Sequence, residues 1–168
     1  EKLPDFARRL NWFLENRPEL CATVASVTGP GVKDRHLFSI VNADRLRAIL
    51  TRMLDESEFL SPYGLRSLSR FHKDHPAKLT LEGVEYSVNY EPAESTTGLF
   101  GGNSNWRGPV WFPLNYLIIE SLQKFDYYYG NQFQVECPTN SGQNRTLWQV
   151  ATELSHRLIG LFARDANG

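Results

Sequence analysis

The sequence predicts a mainly α-helical protein with one β-hairpin. Apolar residues recur at helical spacing in several separated segments. The period switches to two only once, around Glu82-Gly83. A long stretch from Pro92 to about Trp111, rich in Gly, Ser, Thr and Asn, follows neither period.

The elements follow in order. Pro4 and Asp5 favour a helix start, and Phe6, Leu10, Phe13 and Leu14 then form an apolar face. Asn16, Arg17 and Pro18 interrupt that helix, and Thr28-Gly29-Pro30-Gly31 reads as a loop. Asn42 is placed to cap a second helix with Leu46, Ile49, Leu50, Met53 and Leu54 on its apolar side. Ser61-Pro62-Tyr63-Gly64 ends it, and a short turn of helix is expected to follow as far as Arg70. From Lys78 to Tyr90, Leu79 and Leu81, then Val84, Tyr86 and Val88, alternate with polar residues as in a hairpin. Leu114, Ile118, Ile119, Leu122 and Phe125 mark the next helix, which Gly130 stops. Phe133 to Cys137 suits a short strand, and Asn140 to Asn144 a turn. The last helix carries Leu147, Val150, Leu154, Leu158 and Leu161. Glu120–Lys124 and Glu153–Arg157 are i,i+4 pairs on the last two helices. About five helices packed as antiparallel pairs are expected.

Composition excludes several function classes. Of 168 residues, 41% are hydrophobic and 22% charged, with a net charge of −1, which is ordinary for a globular protein. No basic stripe points to nucleic acid, and no apolar run is long enough to span a bilayer. Two cysteines, Cys21 and Cys137, are too few for a disulfide framework. They suggest a reducing compartment, so a cytoplasmic location is expected. His72 and His75 lack the partners of a metal site, so no metal or cofactor is expected. Asn144-Arg145-Thr146 matches a glycosylation sequon, which matters only in a secreted protein. The length fits one domain or a piece of a larger one. Glu1 and Gly168 read as cuts in a longer chain.

The irregular stretch holds the candidate chemistry. Gly101 and Gly102 let the backbone turn and approach a ligand. Asn103 and Asn105 offer neutral donors and acceptors suited to hydroxyls. Trp106 and Trp111 are flat and amphipathic, suited to stacking on a sugar ring or to filling a core. Arg107 offers a donor fork to a substrate hydroxyl or to a buried carboxylate, with Glu94 as one bracing partner. Pro109 and Pro113 stiffen the entry to the following helix.

Asn105-Trp106-Arg107-Gly108-Pro109-Val110-Trp111, followed by Asn115-Tyr116, resembles the Trp-Arg-Gly-Pro motif of family 63 glycoside hydrolases. Tyr63-Gly64-Leu65-Arg66-Ser67-Leu68-Ser69 resembles the segment that precedes it in that family. Family members often carry Glu-Asn-Tyr before the motif, where this chain has Asn103-Ser104-Asn105; the subgroup and the sugar stay open. The resemblance implies a fragment of an (α/α)6 toroid, with residues 1–168 forming one unit in the C-terminal region of a larger catalytic domain. It implies an inverting hydrolase of glucosyl or mannosyl linkages, with Trp106, Arg107, Trp111, Asn103, Asn105 and Tyr63 binding carbohydrate. Inversion needs an acid and a base about 6.5–9.5 Å apart. Both are expected outside this chain; Glu91 and Glu94, the carboxylates close to the motif, are each read as a brace or else as the base, so the isolated chain is expected to be inactive. The expected partners are the remainder of the catalytic domain and, for the fragment, a second copy. A non-catalytic helical module that binds carbohydrate or protein is the alternative.

Overall fold

The computed structural model describes residues 3–21 and 31–163. Of the loop expected at Thr28-Gly29-Pro30-Gly31, all but Gly31 lies outside the described residues. The chain is mainly helical: α1 (Pro4–Asn16), α2 (Pro18–Cys21), α3 (Ala43–Met53), α4 (Phe112–Tyr129) and α5 (Leu147–Ile159).

α4 and α5 form the central pair and run antiparallel. Asp126, near the end of α4, accepts from the backbone N–H of Trp148 at the start of α5 (3.0 Å). At the other end the Phe112 and Phe162 rings meet edge to face. Ile119 and Leu122 of α4 bury against Leu147, Val150, Ala151, Leu154 and Leu158 of α5, and Leu46, Leu50 and Leu54 of α3 complete the core. The termini follow sequence rules. Asn42 caps α3 by accepting from Arg45 N (2.9 Å). Thr146 and Gln149 form a reciprocal capping box at α5. Gly130 ends α4 at a φ of 58°.

The strand content differs from the expectation of one hairpin: three two-stranded antiparallel sheets are present among the described residues. The expected hairpin is β3 (Ala77–Leu81) with β4 (Val84–Val88), turned at Glu82 and Gly83, both at positive φ. Residues Leu60–Ser61 (β1) and Gly64–Leu65 (β2) form a second, tight one. Residues Gln134–Glu136 (β5) and Asn144–Thr146 (β6) form the third. β5 falls within the strand expected from Phe133 to Cys137, and the turn expected at Asn140 to Asn144 leads into β6, whereas the two-residue strands β1 and β2 carry no periodicity of their own.

Three further expectations change. α3 stops at Met53, before Ser61-Pro62-Tyr63-Gly64, because Asp55 gathers the next residues into a turn by accepting from Ser57 N (2.8 Å). Ser61 to Gly64 is instead the turn of β1–β2. The helical turn near Arg70 begins there and runs Arg70–Lys73 as a 3-10 turn. Finally, α5 ends at Ile159, leaving Leu161 exposed.

Much apolar surface remains open. α1 buries none of its residues, and Phe6, Trp12 and Phe13 are exposed. Leu79, Leu81, Val84 and Tyr86 of the β3–β4 hairpin are exposed as well. None of the helices described is long and apolar enough to cross a membrane.

Candidate functional site

Two segments about forty residues apart are bonded side by side. Asn115, buried at the first turn of α4, reads Leu65 like a neighbouring strand: its Oδ1 accepts from Leu65 N (2.7 Å) and its Nδ2 donates to Leu65 O (3.0 Å). Arg66 forms an antiparallel bridge with Val110. Ser67 N donates to Pro109 O (3.0 Å). The Ser67 hydroxyl donates to Asn105 O (2.8 Å) and accepts from Gly108 N (3.0 Å). Residues 65–67 and 105–115 thus form one continuous ladder.

Two glycines make the close approach possible. Gly108 adopts a φ of +120° beneath the Tyr90 ring, and a Cβ there would lie 2.3 Å from a ring carbon. Gly64, at a φ of +123°, leaves no room for a Cβ against Asn115 Oδ1, which would lie 2.9 Å away. Tyr90 in turn accepts from Arg66 Nε (3.2 Å), tying the ladder to the end of the β3–β4 hairpin.

The loop between Glu91 and Arg107 is closed at its neck by those same residues. Glu91 N donates to Arg107 O (2.7 Å), and Arg107 Nη1 reaches the Glu91 carboxylate at 2.5 Å. Arg107 is 0% exposed and also donates to Thr97 Oγ1 (2.5 Å). The Glu91 side chain is 13% exposed. Hydrogen bonds from the Thr96 hydroxyl and backbone N–H, with the Arg107 guanidinium beside them, hold its carboxyl below the usual glutamate range against the opposing effect of burial. The donor fork of Arg107 therefore serves a buried carboxylate, and the partner is Glu91. Glu94 is exposed and makes no side-chain hydrogen bond or ion pair among the described residues.

The remaining residues singled out in the loop stand on its rim. Trp106 is 48% exposed, and its ring lies 4.3 Å from that of the half-buried Trp111, tilted by 44°. Asn103 and Asn105 are exposed, with Asn103 Oδ1 accepting from Asn105 N (3.1 Å). Gly101 and Gly102 adopt positive φ but face open space. Tyr63 is exposed at the tip of the β1–β2 turn and makes no ring contact with either tryptophan. Its turn is held by Arg157, which donates to Ser61 O (2.8 Å) and pairs with Glu153 (2.9 Å). Beside Trp111, an apolar groove of about 600 Å³ opens between α3 and α4, walled by Ile49, Met53, Phe59, Leu114 and Ile118.

A family model for the mannosylglycerate hydrolase MGH1-like glycoside hydrolase domain matches residues 36–159. The chain belongs to this family. That range holds both motifs and every element from α3 to α5, and the match bears out the family 63-like resemblance. The chain is 55% identical over 164 residues to the uncharacterized protein YMR196W of Saccharomyces cerevisiae, covering 97% of this chain and 15% of that protein. It is 33% identical over 88 residues to a probable mannosyl-oligosaccharide glucosidase of Schizosaccharomyces pombe, covering 51% of this chain and 8% of that one. The chain therefore spans 15% or less of the length of these relatives.

In this glycoside hydrolase domain, the sequence pointed to the loop and to Arg107 and Glu91 as possible braces, but not to the other residues that hold it. Ser67 and Asn115 lie inside the quoted motifs, so their motif membership was the available signal. Tyr90, Thr96 and Thr97 lie outside them and carry no local signal.

Proposed function

We propose that this chain supplies the sugar-binding rim of an inverting glycoside hydrolase acting on glucosyl- or mannosyl-containing substrates. The observation that carries the reading is Trp106, an aromatic ring left half open on a loop whose neck is closed by a buried ion pair. Flat rings on rigid supports stack on the apolar faces of sugars at little entropic cost. Trp111 backs the Trp106 ring, and Asn103, Asn105 and Tyr63 contribute polar contacts to hydroxyls. Arg107 serves the same site from behind, by fixing the loop through Glu91.

The acid and base are assigned to other parts of the longer polypeptide. Glu91 is occupied by Thr96 and Arg107, which suits a brace better than a proton acceptor. The rest of that polypeptide also covers the apolar groove and the exposed faces of α1 and β3–β4, as part of an (α/α)6 toroid. Largely apolar faces of this kind bury on assembly. The chain on its own is therefore inactive on aryl glycosides and self-associates.

The test uses the full-length protein and 4-nitrophenyl glucosides and mannosides of both anomers. Trp106→Ala is expected to lower kcat/KM at least tenfold with little change in Tm, and NMR of the first-formed sugar to show inversion. Unchanged activity removes Trp106 from the site, and a retained anomer removes the inverting mechanism.

A further inference from the structure

We infer that Ser67 is a positioning residue for the Trp106 platform: its hydroxyl links the backbone on either side of the Trp106-Arg107 pair, at Asn105 O and Gly108 N. This rests on the sugar-binding reading above. Asn105 and Trp106 are the corners of a tight turn from Ser104 to Arg107, closed by a bond from Arg107 N to Ser104 O (2.8 Å), and Gly108 follows it. The Ser67 hydroxyl adds a second closure one residue further on, donating to Asn105 O at 2.8 Å and accepting from Gly108 N at 3.0 Å. A hydroxyl suits the role because it donates and accepts at once.

The serine is itself fixed. Its backbone N–H donates to Pro109 O (3.0 Å), and its neighbour Arg66 bridges Val110. The turn's other bonds tie it to the neck and not to the 65–67 segment: Arg107 is held by Glu91 and Thr97, and the Ser104 hydroxyl donates to Ala93 O (2.7 Å). Asn105 and Trp106 are exposed, and Gly108 is held on its far side by the Tyr90 ring. Ser67 is thus the point at which the 65–67 segment is tied to both sides of the Trp106-Arg107 pair. Alanine would remove both bonds while leaving the surrounding packing intact. Threonine keeps the hydroxyl and would restore them, at a residue that borders the open groove beside Trp111.

The experiment compares Ser67→Ala, Ser67→Thr, Trp106→Ala and the Ser67→Ala/Trp106→Ala double variant in the full-length protein. The first readout needs no ligand: amide exchange of a peptide covering residues 104–110. Ser67→Ala is expected to speed exchange at Gly108 roughly tenfold, as loss of its acceptor implies, with α5 unchanged and Ser67→Thr restoring protection. The second readout is kcat/KM on the 4-nitrophenyl glycoside that the wild type turns over best. Ser67→Ala is expected to lower it several-fold, Ser67→Thr to recover most of it, and the double variant to match Trp106→Ala alone. Unchanged exchange at Gly108 in Ser67→Ala overturns the inference. So does a double variant whose losses simply add, because Ser67 then acts elsewhere. If Trp106→Ala itself leaves activity intact, the sugar-binding reading fails first, and the exchange readout still decides whether Ser67 sets the turn.

Discussion

Trp106 and Arg107 share a peptide bond and occupy opposite environments. The arginine is closed to solvent in the neck of the loop, between Glu91 and Thr97, while the tryptophan stands half open on the rim. The same division runs through the whole motif. Leu65, Arg66, Ser67, Gly108 and Asn115 belong to the bonded ladder, and Asn103, Asn105 and Trp106 display side chains to solvent. One motif thus does two physical jobs, and the residue types follow: small or bidentate polar groups where backbones meet, flat or amide side chains where a ligand has access.

Substitutions in the ladder should cost stability and substitutions on the rim should not. The largest effect is expected for Asn115→Ala. Its amide satisfies both backbone groups of Leu65 and also donates to Trp111 O at 2.9 Å. Removal leaves buried polar groups unpaired, at roughly 1–3 kcal/mol each. Thermal unfolding of the full-length variant should show a clear drop in Tm; a wild-type Tm would mean that the ladder does not hold these segments together. Gly108→Ala comes next. The added Cβ meets the Tyr90 ring at 2.3 Å, and overpacking of this kind costs about 1–3 kcal/mol before backbone strain is added. Pairing it with Tyr90→Ala should recover part of the loss, leaving the strain of a positive φ. Full additivity of the two variants would place the clash elsewhere.

The neck also predicts a pH effect. The folded state holds the Glu91 carboxyl below its ordinary value of 4.5. Its contribution to stability is therefore fully present above that value and is lost as pH falls through the lower, folded one. A Glu91→Gln variant should be less stable than wild type at neutral pH, and the difference should narrow below about pH 4.5. A difference that stays constant across that range would show that the carboxylate charge is not what Arg107 recognises.

The division explains what the sequence made legible. Signals that act within a few residues were readable: the Asn42 cap, the Gly130 stop and the Glu82-Gly83 turn all fall where the sequence placed them. The apolar faces of α4 and α5 were readable for the same reason. Pairings between distant segments were not. Among the local hairpins, β5 and its turn were legible as the strand from Phe133 to Cys137 and the turn from Asn140 to Asn144, whereas β1–β2, two residues to a strand, is too short for a period to register. The partner of Arg107 shows the limit most clearly. Glu91 and Glu94 are three residues apart and equally plausible by type. The choice is made by Glu91 N bonding Arg107 O and by Thr96 folding back onto the Glu91 carboxylate, neither of which is encoded locally. The motif located the loop, but which of its residues face inward depends on Tyr90 and Ser67 arriving from elsewhere.

The smallest effect is expected at Glu94, and it sharpens the contrast with Glu91. Both carboxylates flank the loop and both are near enough to the motif to be considered for acid–base work. Glu94 is exposed, whereas the Glu91 carboxylate accepts from two residues. An exposed side chain with no ion pair among the described residues contributes little to folding, so Glu94→Gln should change stability by no more than about 0.5 kcal/mol. Its activity is the more informative measurement. Loss of a general acid or base typically costs 10²–10⁴-fold. If the acid and base lie elsewhere in the longer polypeptide, Glu94→Gln in the full-length protein should keep kcat within a few-fold of wild type across the pH range. A hundredfold fall, with one limb of the pH profile removed and Tm unchanged, would instead place half of the catalytic pair on this rim, beside Trp106.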